Sequence, residues 1–102
     1  MSDQQDRPLS SRQELLLRLV VEAHIESGQP VGSKTLVQAG LVDASSSTVR
    51  SELAELEERG MLDHPHTSAG RVPTEAGYRR YAAELVRIGV PADRLIVDLS
   101  SA

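Results

Sequence analysis

Cysteine is absent from the 102 residues. That excludes a disulfide scaffold, a thiolate zinc site and a cysteine nucleophile at once. Phenylalanine and tryptophan are absent too, and Tyr78 and Tyr81 are the only aromatic residues. A sheet that stacks nucleobases on several aromatic rings is therefore not available to this chain. Apolar runs are short, as at Leu15–Leu17 and Leu19–Val21, which Arg18 separates. They fall far below the roughly 20 residues of a membrane-spanning helix. No basic start leads into an apolar stretch of the kind a secretion signal needs, so a cytoplasmic location and no membrane contact are expected.

What the chain does hold is 39% hydrophobic and 25% charged residues, a balance that suits one small globular domain. The formal net charge is -4, which on bulk charge alone argues against a nucleic-acid partner. Local charge matters more, because exposed charges are screened beyond about 10 Å at ordinary salt. Between His64 and Tyr81, Arg71, Arg79 and Arg80 stand against Glu75 alone.

Residues 1–9 are polar and read as a flexible N-terminal arm. Ser10 with Gln13, or Ser11 with Glu14, has the spacing of a capping box, predicting a helix from about Arg12 to Ser27 that Gly28 ends. Leu16, Leu19, Val20 and Ala23 form one apolar stripe on it, and Leu17, Val21 and Ile25 a second. The second stripe is expected to meet a partner chain or the tail, Leu95–Leu99, and so is a candidate dimer face. Ser33 can cap a short helix from Lys34 to Ala39, and Leu41 and Val42 are expected to turn inward. A serine run precedes a longer helix from about Ser46 to Arg59, with Val49, Leu53 and Leu56 inward. Helix, short helix, glycine-containing turn and longer helix make a helix-turn-helix. Met61–Leu62 and Arg71–Pro73 then read as two short strands joined by a turn at Ser68–Gly70. Thr74 caps a last helix with Tyr78, Tyr81, Ala82 and Leu85 on one face, ended by Gly89. The expected class is mainly α with a small β-hairpin, a winged helix-turn-helix over residues 10–89. Residues 90–102 are left as a tail or the start of a linker or dimerisation segment.

Several chemistries fit the polar residues. Ser46, Ser47, Thr48, Arg50 and Ser51 crowd the first turns of the longer helix, where free N–H groups and partial positive charge suit phosphate. Arg50 can grip a guanine edge or a phosphate with two parallel bonds, whereas Glu52, Glu55, Glu57 and Glu58 further along repel a phosphate backbone. The bland alternative is a capped surface helix with solvated charges. In the hairpin, small residues allow close backbone approach and Arg71 can enter a narrow minor groove; the alternative is a polar turn. His64 and His66, with His24, are spaced poorly for metal, since no third ligand is placed. No serine sits on a Gly-x-Ser-x-Gly turn and no phosphate-cradling glycine loop is present, so neither an enzyme, a metal site nor a cofactor is expected.

The segments Gln29-Pro30-Val31-Gly32-Ser33-Lys34-Thr35-Leu36, Ser47-Thr48-Val49-Arg50-Ser51-Glu52-Leu53-Ala54-Glu55-Leu56-Glu57-Glu58 and Pro65-His66-Thr67-Ser68-Ala69-Gly70-Arg71-Val72-Pro73-Thr74, with Gly77-Tyr78-Arg79, resemble the N-terminal domain of the heat-inducible transcription repressor family, HrcA. The resemblance covers about Arg12 to Leu85. It implies a winged-helix DNA-binding domain of a bacterial repressor acting at the nucleoid in the stress response. It also implies an inverted-repeat operator of the CIRCE type on double-stranded DNA, a homodimer, and the chaperonin GroEL as a controlling partner. Carried onto this chain, the recognition-helix positions are Ser47, Thr48, Arg50 and Ser51, with Ser46 beside them. The wing positions are His66, Thr67, Ser68, Gly70 and Arg71. Ser33, Lys34 and Arg79 are expected phosphate contacts, and Leu17, Val21 and Ile25 the dimer face. A winged helix that binds protein rather than DNA is the competing expectation, motivated by the acidic balance and the second apolar stripe.

Overall fold

The computed structural model describes residues 8–89. Helix α1 spans Ser11–Ser27. Of the two possible capping boxes the chain uses Ser10 with Gln13: the Ser10 hydroxyl accepts from the Gln13 N–H at 3.1 Å, and the Gln13 amide oxygen accepts from the Ser10 N–H at 3.0 Å. Gly28, in the left-handed region with φ 71°, closes the helix.

The buried positions of α1 are Gln13, Leu16, Leu17, Val20 and Val21. They are one broad stripe, not two. Spacings of three, four, seven and eight residues merge into a single face more than 100° wide. Leu17 and Val21 are 1% and 0% exposed, packed inside the domain's own core. They cannot form a dimer face, and Ile25 is half-buried against the same core. The tail residues Leu95–Leu99 lie outside the described residues.

Helix α2, Ser33–Gln38, begins one residue earlier than the sequence suggests. Its N-cap is Gly32, with no side-chain hydrogen bond, so Ser33 is a helical residue and not the cap. Leu36 is the buried residue of α2. Beyond it Val42 turns inward at 8% exposure, while Leu41, expected inward, is 55% exposed. Helix α3, Ser46–Glu58, is capped by Ser45 and buries Val49, Leu53 and Leu56. Strands β1, Leu62–Asp63, and β2, Val72–Pro73, pair antiparallel, with Leu62 opposite Pro73 and Asp63 opposite Val72. Val31, in what reads from sequence as a plain turn, adds a bridge to Arg71 through bonds of 2.9 and 2.8 Å. The wing thus has a third short partner.

Helix α4, Glu75–Arg87, is capped by Thr74, whose side chain accepts from the Gly77 N–H and donates to the Gly60 carbonyl at 2.6 Å. Helix α1 packs against α3, α4 and β2, and α2 against α3. The core is aliphatic throughout, with Tyr78 and Tyr81 at its margin. It forms a winged helix-turn-helix, mainly α with a two-stranded sheet.

Gly77 allows this packing. A Cβ there would overlap the carbonyl oxygen of Met61 and touch a methyl of Leu17. Gly77→Ala should therefore push α4 off the wing and lower unfolding stability by about 3 kcal/mol, measured by urea denaturation. An unchanged midpoint would show that the contact is not tight.

Candidate nucleic-acid interface

The start of α3 is organised by hydroxyls. Ser45 Oγ accepts from the Thr48 N–H at 3.2 Å, donates to Thr48 Oγ1 at 3.0 Å and lies 3.2 Å from Ser47 Oγ. At about 100° per residue, Ser47, Ser51, Ala54 and Glu58 point opposite the Val49–Leu53–Leu56 face. Thr48 and Arg50 lie on either side of them. Ser47, Arg50 and Ser51 are exposed, while Ser46 and Thr48 are half-buried. Among the described residues Arg50 makes no ion pair. Ser47, Thr48, Ser51, Glu52 and Glu55 line a shallow hollow on this surface.

The wing loop is braced. Ser68 N–H bonds the Pro65 carbonyl at 3.3 Å, Ser68 Oγ accepts from the Gly70 N–H at 3.0 Å, and His64 Nε2 lies 2.9 Å from the Ser68 carbonyl oxygen. His66, Thr67 and Ala69 are exposed and Ser68 is half-buried. Gly70 is buried, and a Cβ on it would lie 2.9 Å from Pro30 backbone and side-chain atoms. Its small size serves packing inside the domain, not approach to an outside surface.

Arg71 differs most from expectation. Its side chain is 11% exposed, its Nε lies 2.9 Å from Glu57 Oε1, and its Nη1 donates to the Ala69 carbonyl at 3.1 Å. The Nε contact is a charge contact without hydrogen-bond alignment. Arg71 is therefore a strut between wing and α3, not a free cation at the wing's flank. The contact also orients the wing. Glu57 lies seven residues after Arg50, so the two share a face of α3 about 10 Å apart along the axis, and the wing root sits on the side that carries Arg50.

The other arginines of the expected basic patch are engaged as well. Arg80 forks onto Glu14, with Nε 3.3 Å from Oε1. Arg79, exposed, pairs with Glu75 at 3.6 Å, a contact worth little on a wet surface. Arg87 donates to Glu84 at 3.0 and 2.6 Å and holds that carboxyl below the usual carboxylate range. Lys34 is exposed and, among the described residues, forms no ion pair; Ser33 beside it is half-buried. His24 bonds the Gln29 carbonyl oxygen at 3.0 Å. No group of three or more His, Cys, Asp or Glu that could hold a metal occurs among the described residues.

Sequence reasoning gave Gln13 a capping role and Glu52 a repulsive one, and missed that Gln13 and Arg12 both meet Glu52. Gln13 Nε2 donates to Glu52 Oε1 at 3.2 Å, and Arg12 Nη1 lies 3.8 Å from Glu52 Oε2. A glutamine at a buried helical position was the available signal.

No family model matches the chain. It is 51% identical over 96 residues to the heat-inducible transcription repressor HrcA of Xylella fastidiosa (strain M12), covering 90% of this chain and 28% of that protein. It is 50% identical over 80 residues to the protein of the same name from Parasynechococcus marenigrum (strain WH8102), covering 78% and 25%. The corresponding protein of Chloroflexus aurantiacus is 47% identical over 79 residues, covering 78% and 21%. The chain thus spans about a quarter of the length of these relatives. A crystal structure described as that of a hypothetical protein superposes with a TM-score of 0.75 at 38% identity, over 81% of this chain and 27% of that one.

The different surroundings of the two arginines separate structural from surface roles. Arg71→Ala should lower stability by about 1–3 kcal/mol, since it leaves Glu57 without its partner. Arg50→Ala should shift stability by no more than about 0.5 kcal/mol. Thermal unfolding of the two variants side by side checks this, and equal midpoints would refute it.

Proposed function

We propose that this chain, which carries a domain of the HrcA repressor family, binds double-stranded DNA in a sequence-specific manner and acts in transcriptional repression of stress genes. Helix α3 enters the major groove through its first two turns, and the wing loop lies alongside. The observation that carries this reading is Arg50: an exposed arginine without an ion pair among the described residues, flanked by serine and threonine hydroxyls, on the side of α3 where the wing is rooted. In this reading Arg50 takes a guanine edge or a phosphate, and Ser46, Ser47, Thr48 and Ser51 take phosphate or base edges. His66, Thr67 and Ser68 contact the backbone beside the groove. Lys34 and Ser33 anchor the phosphate on the near side, and Arg79 does so beyond the wing. Arg71 and Gly70 shape the wing from within. A repressor of this kind reads an inverted repeat as a homodimer, one α3 per half-site.

The competing reading, a module that docks on protein, draws on one observation. Leu15, Val86 and Ile88 are 39%, 56% and 47% exposed, and Leu15 and Ile88 line a groove of about 540 Å³ between the N-terminal half of α1 and the C-terminal half of α4. Salt separates the two. DNA binding falls steeply as salt rises, whereas an apolar protein contact does not.

The test begins with selection of bound duplexes from random DNA. A recovered site should bind less tightly as salt rises. Arg50→Ala should weaken binding to it by about 1–3 kcal/mol and relax base preference at one position. Recovery of no site, or an Arg50→Ala variant that binds the recovered site unchanged, would rule the reading out.

A further inference from the structure

Two polar side chains are buried in the described domain, Gln13 at 5% and Arg71 at 9% exposure. Both end on a glutamate of α3: Gln13 on Glu52 at 3.2 Å and Arg71 on Glu57 at 2.9 Å. At about 100° per residue, Glu52 and Glu57 stand about 70° to either side of the Val49–Leu53–Leu56 direction. Apolar packing fixes how closely α3 sits on the core. It fixes rotation about the helix axis less well, because branched aliphatic side chains repack at little cost. A hydrogen bond on one flank, at Glu52, and a short charge contact on the other, at Glu57, oppose rotation in both senses. They also tie down two carboxylates that border the surface of Ser47, Ser51 and Ala54: Glu52, which lines the hollow with Ser47, Thr48 and Ser51, and Glu57, on the face of Arg50.

We infer that Gln13 and Arg71 are positioning residues that set the rotation of α3 and hold Glu52 and Glu57 in fixed places beside the DNA-facing surface. The inference rests on the DNA-binding reading above. It gives a role to a residue on another helix that touches no DNA.

Gln13→Glu tests it with little collateral damage. A glutamate at this position keeps the acceptor for the Ser10 N–H, so the capping box survives, but it sets a carboxylate against Glu52. The full 102-residue chain is titrated against a duplex recovered by selection. Binding should weaken about tenfold, with unchanged far-ultraviolet circular dichroism below the unfolding midpoint. Adding Glu52→Gln reverses the donor and acceptor, and should restore affinity to within about threefold of the parent. Glu57→Gln gives a second test that does not depend on the fold of the first variant. Removing a negative charge near a phosphate backbone raises affinity if charge alone matters, whereas loss of the tether lowers it severalfold. A Gln13→Glu variant that binds normally, a double variant as weak as the single one, or a Glu57→Gln variant that binds more tightly would each overturn the inference. If the parent chain binds no duplex at all, the DNA-binding reading falls and takes this inference with it. Normal parental binding with unaffected variants defeats the inference alone.

Discussion

The broad apolar face of α1 is the constraint on which the rest of the domain depends. Leu16, Leu17, Val20 and Val21 are all 1% exposed or less, and the helix packs against α3, α4 and β2. With no phenylalanine or tryptophan in the chain, no single large ring can fill the space between these elements. Many small branched contacts must do it instead, and each depends on its neighbours being close. The two buried glycines meet that demand. Gly77 lets α4 approach Met61, and Gly70 lets the wing root approach Pro30. Both are required by the space around them rather than by backbone conformation.

Much of the fold was legible in the sequence because local signals and apolar spacing agreed. Ser45 before α3, Thr74 before α4 and the glycines after the helices mark ends by local chemistry, so the helix boundaries fell within a residue or two. The failures came where a contact between distant segments decides. Reading α1 as two stripes splits a face that three-dimensional packing uses whole. Val31 looked like turn because its partner, Arg71, lies forty residues away. Leu41 is apolar yet exposed, next to a buried Val42; residue type alone does not tell which of two adjacent apolar residues turns inward.

The candidate site shows the same division. The cap at the start of α3 and the exposure of Ser47, Arg50 and Ser51 were legible, because a serine run before an apolar helical repeat supplies a cap and the helical spacing turns these residues away from the Val49–Leu53–Leu56 face. Arg71 was misassigned. Its charge suggested an exposed contact, but Glu57 waits for it on α3, and a sequence does not display which carboxylate a cation will meet. Net charge is a poor guide for a related reason. Glu14, Glu52, Glu57 and Glu75 each face an arginine within 4 Å, so the acidic total says little about the potential over the first turns of α3. Arg50 and Lys34 form no ion pair among the described residues.

The scarcity of aromatic residues has a practical side. Tyr78 and Tyr81 both belong to α4 and both rest against the core. With no tryptophan to outshine them, the chain's intrinsic ultraviolet emission comes from this one helix. It is an optical gauge of whether α4 is seated, and it needs no dye or added label.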